Sequence, residues 1–145
     1  MSNSALLDAY RRDGVVRCRG VFDAGELTEI RQAFDAYQTR AVASLPESDY
    51  TLEPDGTSVR NFWRMHEHEP FFRALAERPA LVDLVAPLVN GQVVVMAVES
   101  FHKTARGGAP GPPHQGQAHL FPLPAGSFNR WGGLRPPSQR RIAEV

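Results

Sequence analysis

Three features predict an α+β fold: apolar residues recur at helical spacing to about Asn90, a β-branched run follows from Gln92 to Lys103, and a Pro/Gly/Arg-rich stretch then ends regular structure. A length of 145 residues suits one domain, and 42% hydrophobic with 22% charged residues is the balance of a globular chain rather than a disordered one. Sixteen basic and sixteen acidic side chains cancel. That removes the electrostatic footprint expected of a partner for nucleic acid or anionic lipid. Cys18 is the one cysteine, so no internal disulfide and no multi-cysteine zinc site can form, which fits a reducing cytoplasm. Met1-Ser2-Asn3-Ser4 lacks a basic region followed by an apolar stretch. The longest apolar run, Val93 to Val98, is too short for a bilayer, so neither export nor membrane anchoring is expected.

The elements follow in order. Ser4 is placed to cap a short helix carrying Leu6, Leu7 and Tyr10, which Asp13-Gly14 closes before a strand-like Val15-Val16-Arg17-Cys18. Asp23 and Glu26 form a capping box ahead of Leu27, Ile30, Phe34, Tyr37 and Ala41 at helical spacing. Leu45 to Asn61, with Pro46, Pro54 and Asp55-Gly56, reads as a polar loop able to cover something. Pro70 and Pro79 each suit the first turn of a helix, one carrying Phe71, Phe72 and Leu75 and the other Leu81, Leu84, Val85 and Leu88, with Asn90-Gly91 ending the pair. From Gln92 to Lys103, Val94, Met96 and Val98 alternate against Glu99 and Phe101, predicting a strand buried on at least one face. There is no internal repeat.

Chemistry concentrates after that strand. Gly107-Gly108-Ala109-Pro110-Gly111-Pro112-Pro113 is too stiff and irregular for a helix, and it delivers His114-Gln115-Gly116 at its exit. The order of strand, Lys103, Gly/Pro loop, Pro112-Pro113-His114-Gln115, then Gln117 to Leu123 and Trp131 resembles the phytanoyl-CoA dioxygenase family of Fe(II)- and 2-oxoglutarate-dependent oxygenases. Asp13-Gly14-Val15-Val16 and the capped helix from Phe22 to Tyr37 resemble that family's opening, so the likeness runs over about residues 5 to 131. It implies a double-stranded β-helix, a jelly roll of the cupin type with helices outside, of which residues 1–131 supply the helical preface and first strands.

The resemblance also implies a reaction: oxidative decarboxylation of 2-oxoglutarate coupled to hydroxylation of a small molecule at iron held by two histidines and one carboxylate. The family supplies its first two ligands as His-x-Asp at a strand end, where alternate residues point the same way. His114 matches the histidine; Gly116 stands where the carboxylate belongs and offers no donor atom. That departure leaves three readings open: a fragment inactive as written, an iron halogenase in which chloride takes the vacated position, and a non-catalytic binding module on the same fold. Lys103 would lie near the cosubstrate, where a cation suits a dicarboxylate, or is a solvated strand-end lysine. Trp131 matches a tryptophan lining the cosubstrate pocket, or is a plain core aromatic. His66-Glu67-His68 reads as a helix approach, without the later glutamate of a cupin motif, and His102 and His119 read as strand histidines satisfied by ordinary hydrogen bonds. Glu99 can face solvent or the pocket.

Residues 132–145 have no alternation and no apolar face, and are expected to form an irregular tail. Removing one G from a run of G at the codons for Trp131, Gly132 and Gly133 permits Trp-Val-Ala-Phe-Asp-Pro-Pro-Ala-Asn-Gly, close to the family's continuation but two residues short. A shifted frame from about Gly132 is therefore one reading, and a real tail is the other. The second iron histidine and the arginine that pairs with 2-oxoglutarate are expected downstream, and no histidine follows His119. An incomplete barrel would expose strand edges and an apolar face, predicting poor solubility.

Overall fold

The computed structural model describes residues 3–89 and 92–102. Within them the chain is α+β. The order is α1 (Asn3–Asp13), α2 (Ala24–Ser44), a single 3-10 turn (Glu47–Asp49), β1 (Tyr50–Leu52), β2 (Val59–Phe62), α3 (Met65–His68), α4 (Pro70–Ala76), α5 (Pro79–Val89) and β3 (Ser100–Phe101). The strands form one antiparallel sheet in the order β1-β2-β3.

Helix α1 packs against α5, with Leu6 and Leu81 both buried. It already includes Asn3 and Ser4, so Ser4 is a helical residue rather than the expected cap. The C-terminal stop is as predicted: Gly14 takes φ +71° and donates its N–H to the Tyr10 carbonyl at 2.8 Å, a left-handed conformation that glycine adopts without a Cβ penalty. The capping box of α2 is also present. Asp23 accepts from the Glu26 N–H and the Glu26 carboxylate accepts from the Asp23 N–H, each at 2.8 Å. Ile30, Tyr37 and Ala41 are buried along one face of the helix.

One strand expectation fails and a second holds only in part. Residues 15–18 carry no strand, and Val15 is exposed. Among the described residues of the run from Gln92, only Ser100–Phe101 enters a ladder, while Val94 and Met96 face solvent at 75% and 55% exposure. Strand propensity becomes a strand only beside a partner, and no described residue pairs with residues 15–18 or 92–97 in a ladder. The polar loop from Leu45 to Asn61 is a hairpin instead. Asp55 accepts from the Thr57 and Ser58 amides at 2.8 Å each, Gly56 takes φ +70°, and the Glu53 N–H reaches the Ser58 carbonyl at 2.7 Å.

The register of that hairpin explains the core. Thr51 faces Asn61 but Leu52 faces Val59, which leaves Arg60 as an extra residue in β2. A bulge of this kind shifts the alternation, bringing Val59 and Phe62 to the same cluster although they are three apart. They join Tyr37, Ala41, Met65 and Phe72. Tyr37 packs edge-on against Phe62 at 5.2 Å and Phe72 at 5.4 Å between ring centroids. Pro70 and Pro79 open α4 and α5 as expected, Glu69 capping the first by accepting from the Phe71 N–H.

Candidate functional site

Strand β3 and His102 are the last described residues before Lys103. Strand β3 pairs Ser100 with Phe62 and Phe101 with Asn61, and His102 donates its N–H to the Arg60 carbonyl at 2.7 Å. Because β3 runs antiparallel to β2, the chain leaves residue 102 at the end of the sheet that carries the hairpin turn 53–58. The His102 ring lies 4.8 Å from Phe34 and 5.8 Å edge-on from Phe62, and its Nε2 is 3.0 Å from the Ser100 hydroxyl. The expected role of His102 as a hydrogen-bonded strand histidine holds. On the other side Trp63 packs against Phe101 at 5.7 Å and donates Nε1–H to the Thr51 hydroxyl at 3.0 Å.

His114, Gly116, Lys103, Trp131 and His119 lie outside the described residues, as do Asn90-Gly91 and the tail from residue 132. Among the described residues, no group of three or more His, Cys, Asp or Glu side chains is placed to hold a metal ion. His66 and His68 have other work. His66 is buried, and its Nδ1 accepts the Val98 N–H at 3.2 Å; His68 Nε2 meets the Asp49 carboxylate. His66 and His68 are therefore engaged by Val98 and Asp49.

The most polar buried feature went unseen in the sequence. Asp49, 2% exposed, receives the Ser48 hydroxyl at 2.8 Å, the Arg64 guanidinium and the His68 ring, and its carbonyl accepts the Trp63 N–H at 2.8 Å. Burial pushes its carboxyl up, but the bonds from Ser48, His68 and Arg64 outweigh this and hold it below the ordinary aspartate value. Arg64 sits at φ +49°, a left-handed conformation rare for arginine, just ahead of α3. Nearby, burial and the Asp49 charge push the Tyr37 phenol up. Its hydroxyl has no hydrogen-bond partner among the described residues. Desolvation also raises the Glu99 carboxyl, opposed by Arg64, although by area Glu99 is exposed. This constellation locks the hairpin to α3; a lone aspartate between Pro46 and Tyr50 gives no sequence signal for it.

Among the described residues, helices accompany a small antiparallel sheet whose last strand is β3. The family model for phytanoyl-CoA dioxygenase (PhyH) matches residues 10–138. The chain belongs to that family. Among solved structures it is similar to EctD from S. alaskensis, crystallised with bound Fe, at a TM-score of 0.60 and 22% identity over 68% of this chain. The match covers 34% of the EctD chain, so this chain spans about a third of that protein's length. A search of curated proteins returns no match. No described helix is long and apolar enough to cross a membrane.

Proposed function

We propose that this chain carries the helical preface and first strands of an Fe(II)- and 2-oxoglutarate-dependent dioxygenase acting on a small molecule in a reducing cytoplasm. The single observation that carries the reading is the family match over residues 10–138, which contains the Pro112-Pro113-His114-Gln115 motif. Family membership and the EctD-like fold support it. His114 would ligate iron, Lys103 would face the carboxylates of 2-oxoglutarate, and Trp131 would line its pocket. When bound, iron and 2-oxoglutarate would activate dioxygen, the oxidant for hydroxylation, with 2-oxoglutarate giving up two electrons as it is decarboxylated to succinate. With Gly116 in the carboxylate position, the 145 residues offer one of the three expected protein ligands, and by themselves are expected to be inactive. Residues 132–145 are proposed as an irregular tail, either frame-shifted or real, and the coding DNA around Gly132 separates the two; the family match to residue 138 favours a real continuation.

Anaerobic titration tests the site. With Fe(II) and 2-oxoglutarate, the chain should give no visible charge-transfer band, and a band would overturn the incomplete-site reading. Weak Fe(II) binding should drop by at least about tenfold in His114→Ala; equal affinity in the two proteins would remove the basis for His114 as ligand. Gly116 favours a second reading, the halogenase, which requires Fe(II) binding to tighten with added chloride but not with sulfate. Absence of both iron binding and chloride dependence would point to the non-catalytic module.

A further inference from the structure

Strand β3 has only two residues in its ladder, so its pairing alone specifies register weakly. The segment before it, residues 92–97, makes no ladder with a described residue, and Val94 and Met96 are exposed. Yet Val98, two residues upstream of β3, is gripped through both of its backbone polar groups. Its carbonyl accepts the Met65 N–H at 2.8 Å, and its N–H donates to His66 Nδ1 at 3.2 Å. Both partners belong to α3, and both are buried, Met65 at 1% and His66 at 6% exposure.

We propose that α3 is a two-point clamp on Val98 and that His66 is the positioning residue that fixes where β3 docks on β2. An amide N–H can only donate, so Nδ1 must present its lone pair and the ring proton sits on Nε2. His66 is thus a neutral imidazole used as an acceptor rather than a metal ligand. The grip is directional: the Met65 N–H is free for an outside acceptor because the first amides of a helix have no partner within it. α3 itself is anchored through both of its ends to Asp49, by Arg64 just ahead of its first turn and by His68 at its last residue. A helix held by the hairpin therefore sets the position of Val98, and Val98 sets the phase in which Ser100, Phe101 and His102 meet Phe62, Asn61 and Arg60. That phase also sets where the chain leaves the sheet at His102, and the clamp does not depend on the iron-oxygenase reading.

The acceptor can be removed or replaced. His66→Leu fills similar space without an acceptor, and His66→Asn restores one, because the asparagine Oδ1 falls near the place of Nδ1. Site-resolved hydrogen exchange on the full chain should show the Val98 and His102 amides exchanging about tenfold faster in His66→Leu, the loss of protection expected from one buried hydrogen bond. The Ile30 to Ala41 amides should be unchanged. His66→Asn should return both amides to within about twofold of wild type. Unchanged exchange in His66→Leu would overturn the clamp, and so would equal acceleration throughout α2 in both variants. Should His66→Leu fail to fold, His66→Asn decides alone: retained protection at Val98 supports the acceptor role, and its loss refutes it. Fe(II) titration of the same proteins reports separately on the oxygenase reading, since a chain that binds no iron can still show selective loss and rescue at Val98.

Discussion

Asp49→Asn should destabilise the chain in a way that depends on pH. The side chain is 3% exposed and receives Ser48, Arg64 and His68. Asparagine keeps one acceptor oxygen but turns an NH2 group toward a ring of donors, so at least one charge-assisted bond is lost and a donor is left facing donors. A hydrogen bond to a charged group contributes about 1.5–3 kcal/mol. Arg64 and His68 are 44% and 26% exposed, so water recovers part of that on the partner side. The net expectation is a loss of about 2 kcal/mol at pH 7, which with a urea m-value of about 1–1.5 kcal/mol/M lowers the midpoint by roughly 1.5 M.

The sign of the pH dependence follows from the carboxyl itself. Its folded value lies below the ordinary 3.8, so the stabilisation is full above that value and disappears as pH falls through the folded one. Urea melts followed by circular dichroism at pH 7, 5, 4 and 3 should therefore show a constant gap between wild type and Asp49→Asn down to about pH 4 and a closing gap below it. A gap that stays constant to the lowest pH, or a pH 7 difference under about 0.5 kcal/mol, would show that the Asp49 charge does not fasten the hairpin to α3.

Three further outcomes can be checked in the same chain. Tyr37→Phe should be neutral or stabilising by up to about 1 kcal/mol in a urea melt, since it deletes a buried hydroxyl with no described partner while keeping the ring packed on Phe62 and Phe72; a loss above that size would show the hydroxyl is bonded in solution. Asp23→Ala should cost about 1 kcal/mol by thermal melting, because it removes the side-chain half of the α2 capping box. Asp55 should titrate at about 2 by NMR, its carboxylate held by the Ser58 and Thr57 amides, with those two amide resonances moving along the same curve; the turn contacts are kept above the ordinary value of 3.8 and lost as pH falls through about 2.

What the sequence disclosed were features that a few adjacent residues decide. Asp23 and Glu26 cap a helix through their own neighbours, Gly14 ends one through its own dihedral, and Pro70 and Pro79 open helices with their fixed φ. The hairpin was hidden although Tyr50-Thr51-Leu52 and Val59 to Trp63 flank a Pro54-Asp55-Gly56 turn, because the bulge at Arg60 spoils the alternation that marks a strand. Asp49, Arg64 and His68 were hidden for another reason: they meet only after the hairpin has folded, across 15 and 19 positions of chain. Of the candidate site, His114, Gly116, Lys103 and Trp131 are assigned from the motif around the Gly/Pro loop alone, and they lie outside the described residues.

The strand that fails at 15–18 and the one that is shortened to β3 share a physical cause with the inferred clamp. Val15 to Cys18 and Val93 to Val98 both have the composition of strands, yet neither forms a ladder with a described residue. Ser100–Phe101 is poorer in β-branched residues and does pair. Intrinsic preference therefore does not rank these three segments in the observed order; anchoring does. Val98 is fixed from α3, and the residues just after it reach the exposed edge of β2 with the entropy of search already removed. If that account is right, substitutions that raise strand propensity at the exposed Val94 or Met96 should leave β3 protection unchanged, whereas loss of the His66 acceptor should lower it. The reverse ranking in hydrogen exchange would make local propensity, rather than the clamp, the cause of β3.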